Sequence, residues 1–270
     1  VANVRMQLSE LTENPIILGE PVAKNTAPAI VLATKYIIQK SASDPIILAV
    51  PSDLLIKDNE KFVSTIKKGE KLAQEGYIVT FGIKPDYPET GYGYIDTAEK
   101  IGDGFKVKKF VEKPNFETAK EYLKQNTFYW NSGIFMFKAS TILNETVKHA
   151  TEIAKVSEEF DFSESSQIPF INFDKMPNIS IDYAVMEKSD NIALVKLESD
   201  WYDIGSWQAI YNVSKKDENG NVIGRKRGRY VDVRVNVNDA YIKLKNGKQI
   251  IVDKADLEKV LMLTWEAHPY

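Results

Sequence analysis

Five short stretches carry residue types that could do chemistry. In WYDIGSW (201–207), one carboxylate, Asp203, stands between two tryptophans and a glycine, just after the strand-like run IALVKL. A solvated turn more often uses Asn, Ser or Gly beside small neighbours, so the flanking aromatics suggest a walled site. IILAVPSD sets Asp53 past the end of another strand-like run, where ligands gather in open α/β sheets. An aspartate in a turn or helix cap would read the same way. VEKP (111–114) offers Glu112 as an acceptor for hydroxyls and Lys113 as a compact cation suited to a phosphate, or else an exposed ion pair at a strand end. In WNSGIF (130–135), Asn131 and Ser132 interrupt an apolar strand. An unsatisfied buried amide costs about 1 to 3 kcal/mol, so a hydroxyl-rich ligand or the backbone must supply its partners. ETGYGYI (89–95) contains Gly91 and Gly93, which let backbone amides approach a polar ligand closely or mark a β-bulge.

Composition limits what these residues can serve. At 270 residues with a formal net charge of −3, the chain can bury a real core and offers no basic face for nucleic acid or an anionic membrane. No apolar run reaches the roughly 18 residues of a membrane span. With no cysteine, and with His149 and His268 the only imidazoles, any metal would be held by oxygen, which favours magnesium or manganese over zinc. The start VANVRMQLSE lacks the basic and long apolar regions of a secretory signal, so a cytoplasmic location is expected.

The elements that must position these residues alternate. Apolar runs at 46–50, 78–83, 105–111, 128–137 and 192–197 read as strands, the first as a buried one. Helical patterns cover 26–40 after Asn25 as N-cap, 58–75, 116–125 after Asn115, and 139–157. Strands alternating with helices predict an α/β sheet covered on both faces. After Val213, KKDENGN reads as a turn. The segment NVIGRKRGRYVDVRVNVNDAYIKLKNGKQIIV predicts short strands without helices, so a boundary is expected near residue 218.

Taken in order, EPVAKNTAPAI, VPSD, GYGYI, VEKP, NSGIF, SIDYAVMEK and WYDIGSW resemble the sugar-nucleotide pyrophosphorylases over roughly residues 14–222, in particular the branch that makes GDP-mannose. The resemblance implies a Rossmann-like, GT-A-like nucleotidyltransferase domain with a mixed sheet over 1–218, and a small β-rich appendage over 219–270. It implies GTP and mannose 1-phosphate as substrates, GDP-mannose as product, Mg2+ as cofactor and a homodimer as an assembly the chain could form. By position it assigns Glu20, Asn25 and Thr26 to the guanine base. Asp53 and Asp203 become magnesium ligands, Gly93, Glu112 and Asn131 face the sugar hydroxyls, and Lys113 meets the sugar phosphate. Asp182 matches a position near the site and receives no role.

Two departures stand out. The family's opening strand and its loop of the type GGxGxRLxPL have no counterpart in these residues, which start inside the family's nucleotide-binding half. The 270 residues alone are therefore expected to turn over poorly. Leu54 stands where the guanylyltransferases usually carry His after PSD. A non-catalytic module that binds a sugar phosphate or nucleotide sugar, serving as a sensor or regulatory partner, is the alternative function. A glycosyltransferase fits less well, because no two aspartates are separated by one residue to give the Asp-x-Asp metal motif common there.

Overall fold

Side-chain caps close three of the described helix starts in the computed structural model. It describes residues 2–163, 165–205, 207–214 and 216 and the segments 222–224, 230–235, 239–244 and 249–253. In chain order the elements begin with α1 (Ala2–Leu8), α2 (Thr26–Lys40), β1 (Ile46–Ala49), β2 (Leu54–Ile56), α3 (Asn59–Gln74), β3 (Ile78–Ile83), β4 (Tyr94–Ile101), β5 (Gly104–Val111) and α4 (Phe116–Leu123). There follow β6 (Phe128–Lys138), α5 (Ala139–His149), α6 (Thr151–Ser157), α7 (Phe170–Phe173), a π-helical turn (Asp182–Met186), β7 (Ile192–Lys196), β8 (Trp201–Asp203) and α8 (Trp207–Val213). The last described elements are β9 (Val222–Gly224), β10 (Tyr230–Val235), β11 (Asp239–Leu244) and β12 (Gln249–Asp253). Asp58 and Asn115 accept from the backbone N–H three residues on, closing the first turns of α3 and α4. Asn25 caps α2 differently, with φ at +69° and its side chain accepting from Thr26 N.

Two compact units divide the residues: Val1–Pro51 with Lys57–Asp200, and Ser52–Ile56 with Trp201–Tyr270. The first is built on a mixed six-stranded sheet in the order β1-β6-β3-β7-β5-β4, in which only β3 and β7 run parallel. The start of β6 also pairs with β4, so five strands return to where they began. Helices cover both faces. α2, α5 and α6 contribute Val31, Leu32, Ile142 and Ile153 to a core shared with Ile78, Phe135 and Phe137. On the other side α3 lies so close that a Cβ on Gly69 would meet the Phe81 ring at 2.7 Å. α4 closes a smaller cluster of Tyr94, Ala119, Phe128 and Trp130.

The second unit holds the β2–β8 ribbon, α8 and an antiparallel sheet, β12-β11-β10-β9. The boundary expected near 218, most of KKDENGN, the LMLTWEAHPY tail and His268 lie outside the described residues. Among the described residues no helix is long and apolar enough to cross a membrane.

Several expectations need correction. The run at 46–50 forms β1, which pairs only with β6 and leaves Leu48 38% and Val50 48% exposed, so it is a half-open edge rather than a buried strand. Apolar content alone does not distinguish these cases. The single helix expected over 139–157 is two, broken at Ala150, where ψ is +53°. The buried stripe Ile142, Thr146, Ile153, Ser157 continues in helical phase across the break, so periodicity carried no sign of it. The apolar runs do not predict β4, β2 or β8. β4 owes its place to pairing with β5 and β6 rather than to an apolar run.

Strand β5 begins where backbone meets backbone. A Cβ on Gly104 would lie 2.6 Å from the Leu194 carbonyl oxygen and 2.9 Å from Leu72 Cδ1. A carbonyl held in a sheet cannot swing aside, so Gly104→Ala should cost about 1 to 3 kcal/mol. Urea denaturation measures this, and an unchanged midpoint would show that the strands separate freely there.

Candidate functional site

In the first unit the site is built where β6 changes partners. Its residues Phe128–Trp130 pair with β4, and from Trp130 and Asn131 onward β6 runs against β3. Asn131 stands at that switch, and its backbone N donates to the Gly93 carbonyl at 2.8 Å. Its side-chain Oδ1 accepts from Thr80 Oγ1 at 3.2 Å and from Gly133 N at 3.1 Å, while Nδ2 donates to Asp182 Oδ1 at 3.0 Å. The amide orientation is therefore fixed, and one of its two N–H hydrogens is left for a ligand. Gly133 reaches its part of this arrangement at φ +74°, a conformation that favours glycine. The neighbouring Ser132 is buried, and its Oγ accepts from Ile134 N, so it serves the strand.

Gly93 is small for a reason visible here. A Cβ on it would meet Glu112 Oε2 at 2.6 Å and Asn131 Cβ at 3.3 Å, so the missing side chain is the space the Glu112 carboxylate occupies. Glu112 follows β5, with its backbone N bound to Glu187 Oε1 at 2.8 Å and its carboxylate 3.1 Å from Lys113 Nζ. Lys113 has φ +46°, and its side chain is 58% exposed while that of Glu112 is 10% exposed. The hydrogen bond and charge of Glu112 hold the Lys113 ammonium above its ordinary range. Desolvation first, and the Glu112 charge second, push the Asp182 carboxyl up to about 6. Gly93, Glu112, Lys113, Asn131 and Asp182 thus form one cluster. Gly91 is outside it, its N–H taken by Glu89 Oε1 at 2.7 Å.

In the second unit, strand pairing brings the two distant aspartates together. Leu54 is paired with Asp203 across β2 and β8, and Ile204 N donates to the Asp53 carbonyl at 2.9 Å. A Cβ on Gly205 would lie 3.0 Å from Asp203 Oδ1 and 3.4 Å from Asp53 Oδ2, so both carboxylates flank the same glycine. Asp203 Oδ1 accepts from Gly205 N at 3.0 Å. Among the described residues no three or more Asp, Glu, His or Cys side chains are arranged to hold a metal ion, so this pair is an oxygen donor set of two. Two carboxylates fit magnesium, which keeps several waters and takes its other ligands from substrate phosphates.

The family follows from these motifs in this order. Residues 3–220 match the nucleotidyl transferase family. The chain belongs to it. A mannose-1-phosphate guanylyltransferase of Klebsiella pneumoniae is 43% identical over 232 residues, covering 83% of this chain and 49% of that protein. The enzyme of the same name from Escherichia coli K12 is 40% identical over 233 residues, covering 82% and 48%. The chain thus spans about half the length of the curated relatives it matches. Among solved structures, a mannose-6-phosphate isomerase from Helicobacter pylori superposes with a TM-score of 0.60 at 36% identity, over 68% of this chain and 72% of that one. A mannose-1-phosphate geranyltransferase from Thermus thermophilus shares the fold, with a TM-score of 0.70 at 24% identity, over 90% of this chain and 76% of that one. Nucleotidyl transferases of this family generally use a divalent metal ion.

Within this nucleotidyl transferase, the segment assigned to the base is partly occupied by the fold. Asn25 caps α2, and Thr26 Oγ1 accepts from Ile181 N at 2.9 Å. Glu20 is exposed, yet partial desolvation raises its carboxyl above the ordinary value. His149 serves structure at the end of α5, 3.3 Å from Glu145. Sequence reasoning missed Thr80 and Glu187. A threonine inside IVTFGI carries no signal of its own, whereas Glu187 lies in SIDYAVMEK and was within reach.

The raised Asp182 carboxyl has a consequence for stability. Its ionised form is disfavoured by the fold, so the cost is full above pH about 6 and fades as pH falls toward the unfolded value of 3.8. Asp182→Asn keeps an acceptor for Asn131 and removes the charge. It should stabilise the protein by roughly 2 to 3 kcal/mol at pH 8 and by almost nothing at pH 4. Thermal melts at both values check this, and an equal effect at both would deny the burial cost.

Proposed function

We propose that this chain is the sugar-phosphate and metal-binding part of an enzyme that transfers GMP from GTP to mannose 1-phosphate, giving GDP-mannose and pyrophosphate. One observation carries the reading: the convergence of Gly93, Glu112, Lys113 and Asn131 on one place, with donor, acceptor and cation all presented. The names of the relatives at about 40% identity support the substrate pair. In this reading residues 1–218 are the transferase domain and 219–270 an appendage, working in the cytoplasm, with a homodimer as the assembly to be tested.

The chemistry is an in-line displacement. A phosphate oxygen of mannose 1-phosphate attacks the α-phosphorus of GTP, and the bond to pyrophosphate breaks. Little covalent work falls to the protein, so positioning and charge dominate. Lys113 binds the sugar phosphate, the remaining N–H of Asn131 donates to a sugar hydroxyl, and Glu112 accepts from another. Gly93 leaves room for Glu112, and Glu20, Asn25 and Thr26 frame the base. Asp53 and Asp203 would hold Mg2+, which would supply positive charge for a phosphate group.

Three measurements test the assignment in the full-length protein. Calorimetry should show GDP-mannose binding more tightly than GDP-glucose or UDP-glucose, with magnesium strengthening it. Equal affinities would remove both the sugar and the base from the proposal. Lys113→Ala should weaken mannose 1-phosphate tenfold to a hundredfold and GTP far less, since a charged hydrogen bond contributes about 1.5 to 3 kcal/mol. The exposure of Lys113 argues for the lower end. An unchanged sugar-phosphate constant would reduce Lys113 to the partner of Glu112. Asp53→Asn and Asp203→Asn should each cost at least 10 to 100-fold in magnesium-dependent turnover, with the double variant little worse than either, because both act through one ion. Additive losses at an unchanged magnesium requirement would mean that they share no metal.

A further inference from the structure

The Asn131 cluster has an unusual charge composition for a place that receives a phosphate. It contains three carboxylates, Glu112, Asp182 and Glu187, and one ammonium, Lys113, already 3.1 Å from Glu112. A dianionic phosphate competes with Glu112 for the Lys113 ammonium and adds negative charge beside Asp182. Carboxylates crowded in one region cannot all remain ionised without a compensating cation or a proton.

Asp182 is the acid best placed to take that proton. Glu187 is exposed and bound to Glu112 N, and Glu112 is bound to Lys113. Asp182 is held against Asn131, its carboxyl already raised by burial and by Glu112, and the charge of Lys113 pulls it the other way. A phosphate on Lys113 weakens that pull and adds repulsion. The adjacent Tyr183 is exposed. On α5, which packs against the π-helical turn, the charges are engaged with one another: Glu145 meets Lys148 at 2.6 Å and His149 at 3.3 Å, and Lys188 donates to the His149 carbonyl.

We propose that Asp182 becomes more protonated, drawing on solvent, when a phosphorylated sugar binds, keeping the cluster's charge in balance while Lys113 turns from Glu112 to the phosphate. Asp182 is thus a positioning residue, acting through Asn131 and Lys113. The inference rests on the sugar-phosphate reading of this cluster.

The test is calorimetric titration of the full-length protein with mannose 1-phosphate between pH 5 and 8, in buffers of different ionisation enthalpy. A phosphate monoester has its second pKa near 6. Binding of its dianion alone releases protons, so net uptake by the wild type near pH 7 has the opposite sign and identifies a protein group. Uptake should disappear in Asp182→Asn. The ratio of the variant's affinity to that of the wild type should rise from about one at pH 5 to about tenfold at pH 8, the factor for one unit of upward shift on binding. A ratio constant with pH, as a merely structural role would give, overturns the inference. So does net release by the wild type, which can be read even if the variant does not fold. Failure of the wild type to bind mannose 1-phosphate at any pH overturns the reading of the site itself, and the inference with it.

Discussion

The switch of β6 from one partner strand to another at Asn131 is the constraint on which the rest of the site depends. Its first residues lie along β4 and its later ones along β3, so Gly93, at the foot of β4, and Thr80, inside β3, both reach one asparagine. The backbone bond to Gly93 and the side-chain bonds to Thr80, Gly133 and Asp182 hold that asparagine in one orientation. A site built this way inherits the rigidity of a sheet with helices on both faces, which suits a reaction that depends on alignment.

Charge is concentrated there at a cost to the fold. Asp182 sits where burial and Glu112 oppose its ionised form, and Lys113 occupies a left-handed backbone conformation beside the acid it balances. Elsewhere acids are satisfied differently. The nearly buried Glu145 is met by Lys148, His149 and Ser189, which leave its carboxyl below the ordinary range despite its burial. Fully compensated acids of this kind tie elements together. An acid left short of compensation beside a cation and an oriented amide is the arrangement expected where a charged ligand completes the set.

The two aspartates make the same point by a shorter route. Asp53 and Asp203 each follow a strand-like run and have no meaning singly. The pairing of Leu54 with Asp203 places them around Gly205. Leu54 fills a strand position there, so its departure from the family's usual histidine leaves both carboxylates in place.

By itself the sequence determined the type of most elements and the residue types at their ends, because periodicity, caps and short motifs are local. Asn115 caps the helix it precedes, VEKP and GYGYI lie at strand ends where a ligand can be met, and NSGIF lies inside β6 where that strand changes partners. Asp182 was legible as a position but not as a role, and Thr80 not at all, since nothing beside a strand threonine names its partner. Only the tertiary structure decided that β1 is an edge, that β4 closes back on β6, and that Gly93 is small to admit Glu112. The same holds for the charge state of Asp182. These outcomes depend on strand register and on burial, which are set by residues far away in the chain and therefore leave no mark in any short stretch of it.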